Sequence, residues 1–153
     1  MNILDDNGYI ITLTEDADDF VERGGYAFGR RVNENSLEIS DFCDFSKLGI
    51  FGKKDRLFMP RKLTNGFVRL CDEKGFCPVH IHTHEFMHDR DYTLTFSPID
   101  YKFIDRFLSY ASKFSSIRYC YFIVTDGVNV SMCVSDLQEK KKEIFDNVKL
   151  ISV

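Results

Sequence analysis

The chain has 153 residues, a formal charge of −4, 44% hydrophobic and 29% charged residues. That length suits one domain, which buries roughly 70% of its unfolded surface and folds without disulfides or structural metals. The acidic balance excludes the basic footprint of a dedicated nucleic-acid binder, and no apolar run reaches the roughly 20 residues that span a bilayer.

Tyr9 to Leu13 is a short β-prone run, and the acidic stretch Thr14 to Val21 suits one or two helical turns with Thr14 as N-cap. Gly24 to Val32 reads as a strand with close-packed glycines, and Ser36 to Phe42 alternates like a second one. Residues 43–66 hold Gly49, Gly52, Pro60, Asn65 and Gly66, which predicts a loop with one or two short strands. Phe67 to Cys71 is a further strand candidate, closed by the turn-like Asp72-Glu73-Lys74-Gly75, and Phe76 to His84 follows as another. Residues 85–96 form a polar, aromatic loop.

Ser97 opens the clearest helix. Ser is a preferred N-cap, Pro98 falls at N1, and Asp100 sits at N3 near the positive end of the helix dipole. Ile99, Phe103, Phe107, Leu108, Ala111 and Phe114 mark its apolar face. Arg118 to Thr125 reads as a buried strand, Asp126-Gly127 as a hairpin turn and Val128 to Val134 as the partner strand. Asp136 is expected to cap a charged final helix, with Glu139-Lys140-Lys141-Lys142-Glu143 on its solvated face, and Val148 to Val153 a last strand. The sum is an α/β chain: one domain over residues 1–153, with a mixed, mostly antiparallel sheet flanked by helices.

The five cysteines, Cys43, Cys71, Cys77, Cys120 and Cys133, are odd in number and show no Cys-x-x-Cys zinc spacing. They read as core fillers of a reduced protein. The acidic start, broken by Asp5, Asp6 and Gly8, lacks the pattern of a secretory signal. A cytoplasmic location is the expectation.

All four histidines fall within Val79-His80-Ile81-His82-Thr83-His84-Glu85-Phe86-Met87-His88. Alternate residues of a strand share one face, about 6.6 Å apart along it, so His80, His82 and His84 present imidazoles side by side. Ser97-Pro98-Ile99-Asp100 offers a carboxylate at the start of the next helix. Two histidines and one aspartate form the ligand set of a catalytic Zn²⁺ with a fourth position open to water. Ser-x-x-Asp before an apolar helix is also a capping box, and the two roles are compatible. His80 reads as a pocket-wall residue and His88 as an exposed loop residue. A zinc hydrolase also needs a general base, and Glu22, Glu34, Glu38 and Glu85 all stand as candidates on residue type alone.

Glu22, Gly25 and Gly29 form a Glu-x-x-Gly-x-x-x-Gly pattern; His82 and His84 form His-x-His some sixty residues on; Ser97 and Asp100 form Ser-x-x-Asp. In that order they resemble the JAB/MPN family with its JAMM metalloprotease motif. Two features depart from it: Glu85 stands where the family has Pro, and the gap from His84 to Ser97 is longer. The resemblance implies a JAB/MPN-like (cytidine-deaminase-like) domain. It implies one Zn²⁺ on His82, His84 and Asp100, with Glu22 as general base and Ser97 as oxyanion donor. It also implies cleavage after the C-terminal tail of a ubiquitin or ubiquitin-like protein, in deconjugation or precursor processing. E1-like and E2-like proteins would be its partners in a bacterial conjugation or antiphage system.

Other functions remain open at this level: a non-catalytic scaffold of the same family, or a peptidase that trims sulfur-carrier proteins. A cupin would need a histidine beyond His88, and a metallo-β-lactamase-type site would need Asp-His where Glu85-Phe86 stands. Neither pattern is present.

Overall fold

A computed structural model describes residues 1–15, 22–50, 60–84 and 94–152. Its framework follows from the pleat of two long strands, β2 (Gly24–Asn33) and β4 (Cys77–Thr83), which pair antiparallel with Gly24 opposite His82 and Gly29 opposite Cys77. β4 is buried on both faces, which ordinarily calls for a near-continuous apolar run. Here Val79 and Ile81 meet that demand on one face, while His80 and His82 occupy the other.

Around this pair stand β1 (Asn2–Leu4), β3 (Ser36–Asp44), β5 (Tyr119–Thr125), β6 (Val130–Asp136), β7 (Lys141–Phe145) and β8 (Lys149–Ile151). Among the described residues they make one eight-stranded mixed sheet in the order β7-β6-β5-β4-β2-β3-β1-β8. Antiparallel pairings join β3 to β2, β2 to β4, β5 to β6 and β6 to β7. Parallel pairings join β4 to β5, and β1 to both β3 and β8. The sheet curls: the Val148 N–H, just before edge strand β8, donates to the Val130 carbonyl on β6 at 2.9 Å.

Among the described residues, three α-helices cover the sheet. α2 (Arg61–Lys74) and α3 (Pro98–Ala111) pack on the histidine-bearing face, where Val68, Cys71, Ile104, Phe107 and Leu108 meet Tyr26, Phe28, Phe122 and Val124. α1 (Tyr9–Glu15) sends Ile10 and Leu13 into the opposite face, among Ala27, Ile81, Ile123 and Met132. β2 and β3 approach so closely at Gly25 that a Cβ there would overlap the Phe42 ring and the Cys43 carbonyl. At Gly29 a Cβ would lie 2.6 Å from Val79 Cγ2.

Several expected elements are corrected. Phe67 to Cys71 is not a strand but the middle of α2, which also absorbs the end of the expected 43–66 loop; Thr64, Val68 and Cys71 are buried at helical spacing. Gly75, at φ 76°, ends this helix with its N–H on the Cys71 carbonyl. The 43–66 stretch also holds a 3-10 turn at Phe45–Leu48. Tyr9 to Leu13 is helical because the Asp5 carboxylate accepts from the Tyr9 and Ile10 N–H groups at 3.0 and 2.8 Å. Thr14 therefore sits late in that helix, its hydroxyl bonded back to the Ile11 carbonyl, and residues 16–21 lie outside the described residues.

No charged final helix forms. Asp136 instead holds a turn by accepting from the Gln138 and Glu139 N–H groups, and Lys141–Phe145 pairs with β6 as an edge strand. Lysines along an exposed edge discourage pairing with another chain. On α3, Ile99 is exposed and Ile104 takes its place in the core. All five cysteines are free thiols. No helix among the described residues is long and apolar enough to cross a membrane.

Candidate metal centre

Two strand ends and one helix start build the site. His82 lies near the end of β4, and His84 follows one residue past it, its N–H donating to the Thr125 carbonyl at 2.8 Å to prolong the pairing with β5. On the other side, the register of Gly24 opposite His82 continues beyond β2. The Thr83 N–H donates to the Arg23 carbonyl at 2.8 Å, and the Arg23 N–H to Thr83 Oγ1 at 2.9 Å. The next cross-strand pair is therefore Glu22 and His84, on the face that carries His82.

α3 supplies the third candidate ligand from above this face. Ser97 is its N-cap, with a complete capping box: Ser97 Oγ accepts from the Asp100 N–H at 3.1 Å, and Asp100 Oδ2 from the Ser97 N–H at 2.7 Å. The box fixes the carboxylate so that Oδ1 lies 3.2 Å from His82 Nε2 and Oδ2 lies 3.1 Å from His84 Nε2. The two Nε2 atoms are themselves 3.1 Å apart. Glu22 Oε1 lies 4.0 Å from His84 Nε2.

These distances test the fit of a metal. Tetrahedral ligands with Zn–N and Zn–O bonds near 2.0–2.1 Å stand about 3.3 Å from one another. The two imidazole nitrogens, and the carboxylate oxygen nearest each of them, stand close to that separation, and His82, His84 and Asp100 together could hold one ion. The protonation of the set points the same way. Two nitrogens in direct contact have room for one proton between them, yet both also face the carboxylate. A single cation shared by two neutral imidazoles and a carboxylate satisfies all three at once.

Electrostatics tie the group together. Burial pushes the Asp100 carboxyl up, but hydrogen bonds from His82 and His84 outweigh it and hold the group far below the usual carboxylate range. Burial pushes the His84 imidazole down, and the bond and charge of Asp100, helped by Glu22 and Asp126, more than reverse this and leave it raised. His80 is depressed well below an ordinary histidine by burial and by its neighbour His82.

The structure thus brings Glu22, His82, His84, Ser97 and Asp100 into one place. His80 lies behind the site, its ring centroid 5.3 Å from that of His82. Glu85, Phe86, His88, Tyr92 and Phe58 lie outside the described residues. Two contributors went unseen in the sequence. Thr83 points away from the histidines yet clasps Arg23 and so sets the height of Glu22; strand alternation alone gives it no such role. Asp126 showed itself only as a turn residue, whereas its charge also acts on His84.

No protein-family model matches the chain, and no curated protein matches it significantly.

Proposed function

We propose that this chain is a zinc-dependent hydrolase of the JAB/MPN type, cleaving the peptide or isopeptide bond that follows the C-terminal tail of a ubiquitin-like protein. The observation that carries the reading is the convergence of His82, His84 and Asp100 with a carboxylate, Glu22, at its rim. The four arise from three separate stretches of chain. The order of those stretches is that of the JAMM motif, and the helix and strand hairpin that follow Asp100 suit the same fold.

His82, His84 and Asp100 would hold the ion. Bound zinc supplies Lewis acidity, bringing the pKa of a water to about 7 and polarising a carbonyl. Glu22 then acts at its Oε1: it accepts a proton from the attacking water and passes it to the departing amine. Ser97 Oγ accepts from the Asp100 N–H, which leaves its O–H hydrogen to donate to the developing oxyanion. A donor so placed is worth about 3 kcal/mol in the transition state. Asp100 works twice, as ligand and as helix cap, so the ion sits on a rigid element.

Ubiquitin-like substrates, and E1-like and E2-like partners, follow from the motif order alone. The test is metal content of the purified chain by mass spectrometry, then cleavage of a panel of tailed ubiquitin-like fusions with and without chelator. Metal-dependent release of the tail extension supports the reading. Full cleavage by metal-free protein ends it.

A further inference from the structure

The same strand face carries a third histidine that the proposed chemistry leaves unused. His80 is 5% exposed and sits in a cage of rings: Phe103 at 4.6 Å, Tyr26 at 5.5 Å, Phe45 at 6.1 Å and Phe122 at 6.5 Å between centroids. Such a cage would take a phenylalanine. Instead it holds an imidazole whose Nε2 is buried without a hydrogen-bond partner among the described residues. Buried polar atoms are nearly always satisfied, so the exception calls for a reason. Tyr26 does not supply a partner, because its hydroxyl is engaged with Thr64 Oγ1 at 2.8 Å.

A second orphan lies next door. His82 turns Nε2 toward Asp100 and His84, and its other nitrogen, Nδ1, is likewise buried and unpartnered. The two orphans are complementary. A histidine that ligates a metal through Nε2 carries its proton on Nδ1 and needs an acceptor there; such acceptors orient the ring and sharpen its affinity. An imidazole protonated on Nδ1 offers Nε2 as that acceptor.

We propose that His80 is the positioning residue of the metal centre: its Nε2 accepts the Nδ1–H of His82 through one bridging water, and locks the ligand's tautomer and ring angle. The inference rests on the metal reading above and assigns a role within it. The cage is then what holds the acceptor still. Phe103 and Phe122 fix the plane of His80, and His80 fixes that of His82.

The experiment compares the wild type with His80→Phe and His80→Gln, measuring Zn²⁺ affinity by competition with a chromophoric chelator. His80→Phe fills the cage but offers no acceptor. It should bind Zn²⁺ about 10- to 100-fold more weakly, with a metal-free melting temperature equal to the wild type's or higher. His80→Gln places an amide oxygen near the lost Nε2 and should recover most of the affinity. In the zinc-loaded wild type, ¹⁵N-histidine NMR should show a slowly exchanging Nδ1–H on His82.

Wild-type affinity in His80→Phe, or no slowly exchanging Nδ1–H in the zinc-loaded wild type, overturns the role of His80 and leaves the metal site standing. A wild type that takes up no Zn²⁺ overturns the metal reading itself, and this inference falls with it.

Discussion

Glu22 and His84 stand directly across from each other where the β2–β4 pairing runs out, with Glu22 Oε1 4.0 Å from His84 Nε2. The register that places Gly24 opposite His82 makes Glu22 and His84 the next cross-strand neighbours. The putting together of the proposed base and the candidate ligand is thus a property of strand pairing, and it can be tested apart from metal binding.

Glu22→Gln should keep one Zn²⁺ per chain and lose at least about 100-fold in cleavage rate, the usual scale for a positioned acid–base group. Metal analysis and a fusion-cleavage assay on the same preparation check this. Retained activity removes Glu22 from the mechanism.

Asp100→Ala should lose Zn²⁺ binding and some folding stability together. It deletes one ligand and also the acceptor of the 2.7 Å bond from the Ser97 N–H. A loss of about 1 kcal/mol is the scale of a helix cap, and denaturant unfolding of the metal-free protein measures it without interference from the ion.

Ser97 separates cap from catalysis. Ser97→Gly should cost only a few tenths of a kcal/mol at this N-cap, whereas Ser97→Ala should cost about 1 kcal/mol. Both should lower kcat by about 100- to 1000-fold if the hydroxyl donates to an oxyanion. These stability losses with unchanged turnover would confine Ser97 to the helix start.

The metal-free protein should respond to pH with a definite sign. His84 is raised by Asp100, so its contribution is complete below the ordinary imidazole pKa of about 6.5 and is lost as pH climbs through the raised value. Asp100 is depressed, so its contribution is present above the ordinary carboxylate pKa of about 4 and is lost only in strong acid. The pair therefore stabilises the metal-free chain most between roughly pH 4 and 6.5. Zinc must displace the proton on His84, so its affinity should rise with pH and activity should fall below about pH 6. Thermal melts with and without Zn²⁺ from pH 5 to 8.5 check both slopes: the metal-free melting temperature drifts down on the alkaline side while the zinc-induced increment grows.

Gly25→Ala tests the fold itself. Its Cβ would run into the Phe42 ring and the Cys43 carbonyl. The ring can turn aside, but the carbonyl belongs to the β3 backbone. A loss of about 3 kcal/mol, the upper part of the range for overpacking, is expected and can be read from chemical denaturation.

What could be read from the chain followed the range of the physics involved. The candidate ligands were legible because their signals are local: strand alternation sets His82 and His84 on one side, and the Ser97–Asp100 spacing marks a helix start. Glu22 is different. Nothing near it in sequence sets it apart from Glu34 or Glu38, because its place depends on a pairing with residues about sixty positions away, and only the family resemblance singled it out. Each misread segment was decided by partners outside its own residues or by burial. Phe67 and Val68 are β-prone residues held in a helix by burial of Val68 and Cys71. Tyr9 to Leu13 is likewise turned helical by an upstream carboxylate, that of Asp5. Lys141–Phe145 looked helical by composition, yet it became a strand because β6 offered an open edge.

His84 is tethered by its own backbone bond to Thr125, and Asp100 by its capping box. Neither anchor draws on the stretch between them. An ion gripped by both therefore acts as a cross-link that shuts a loop whose length is of little account: doubling such a loop costs only about 0.6 kcal/mol in closure entropy. The number of residues between His84 and Leu94 should accordingly matter little to the grip on the ion, and an insertion in that interval should leave Zn²⁺ affinity nearly unchanged.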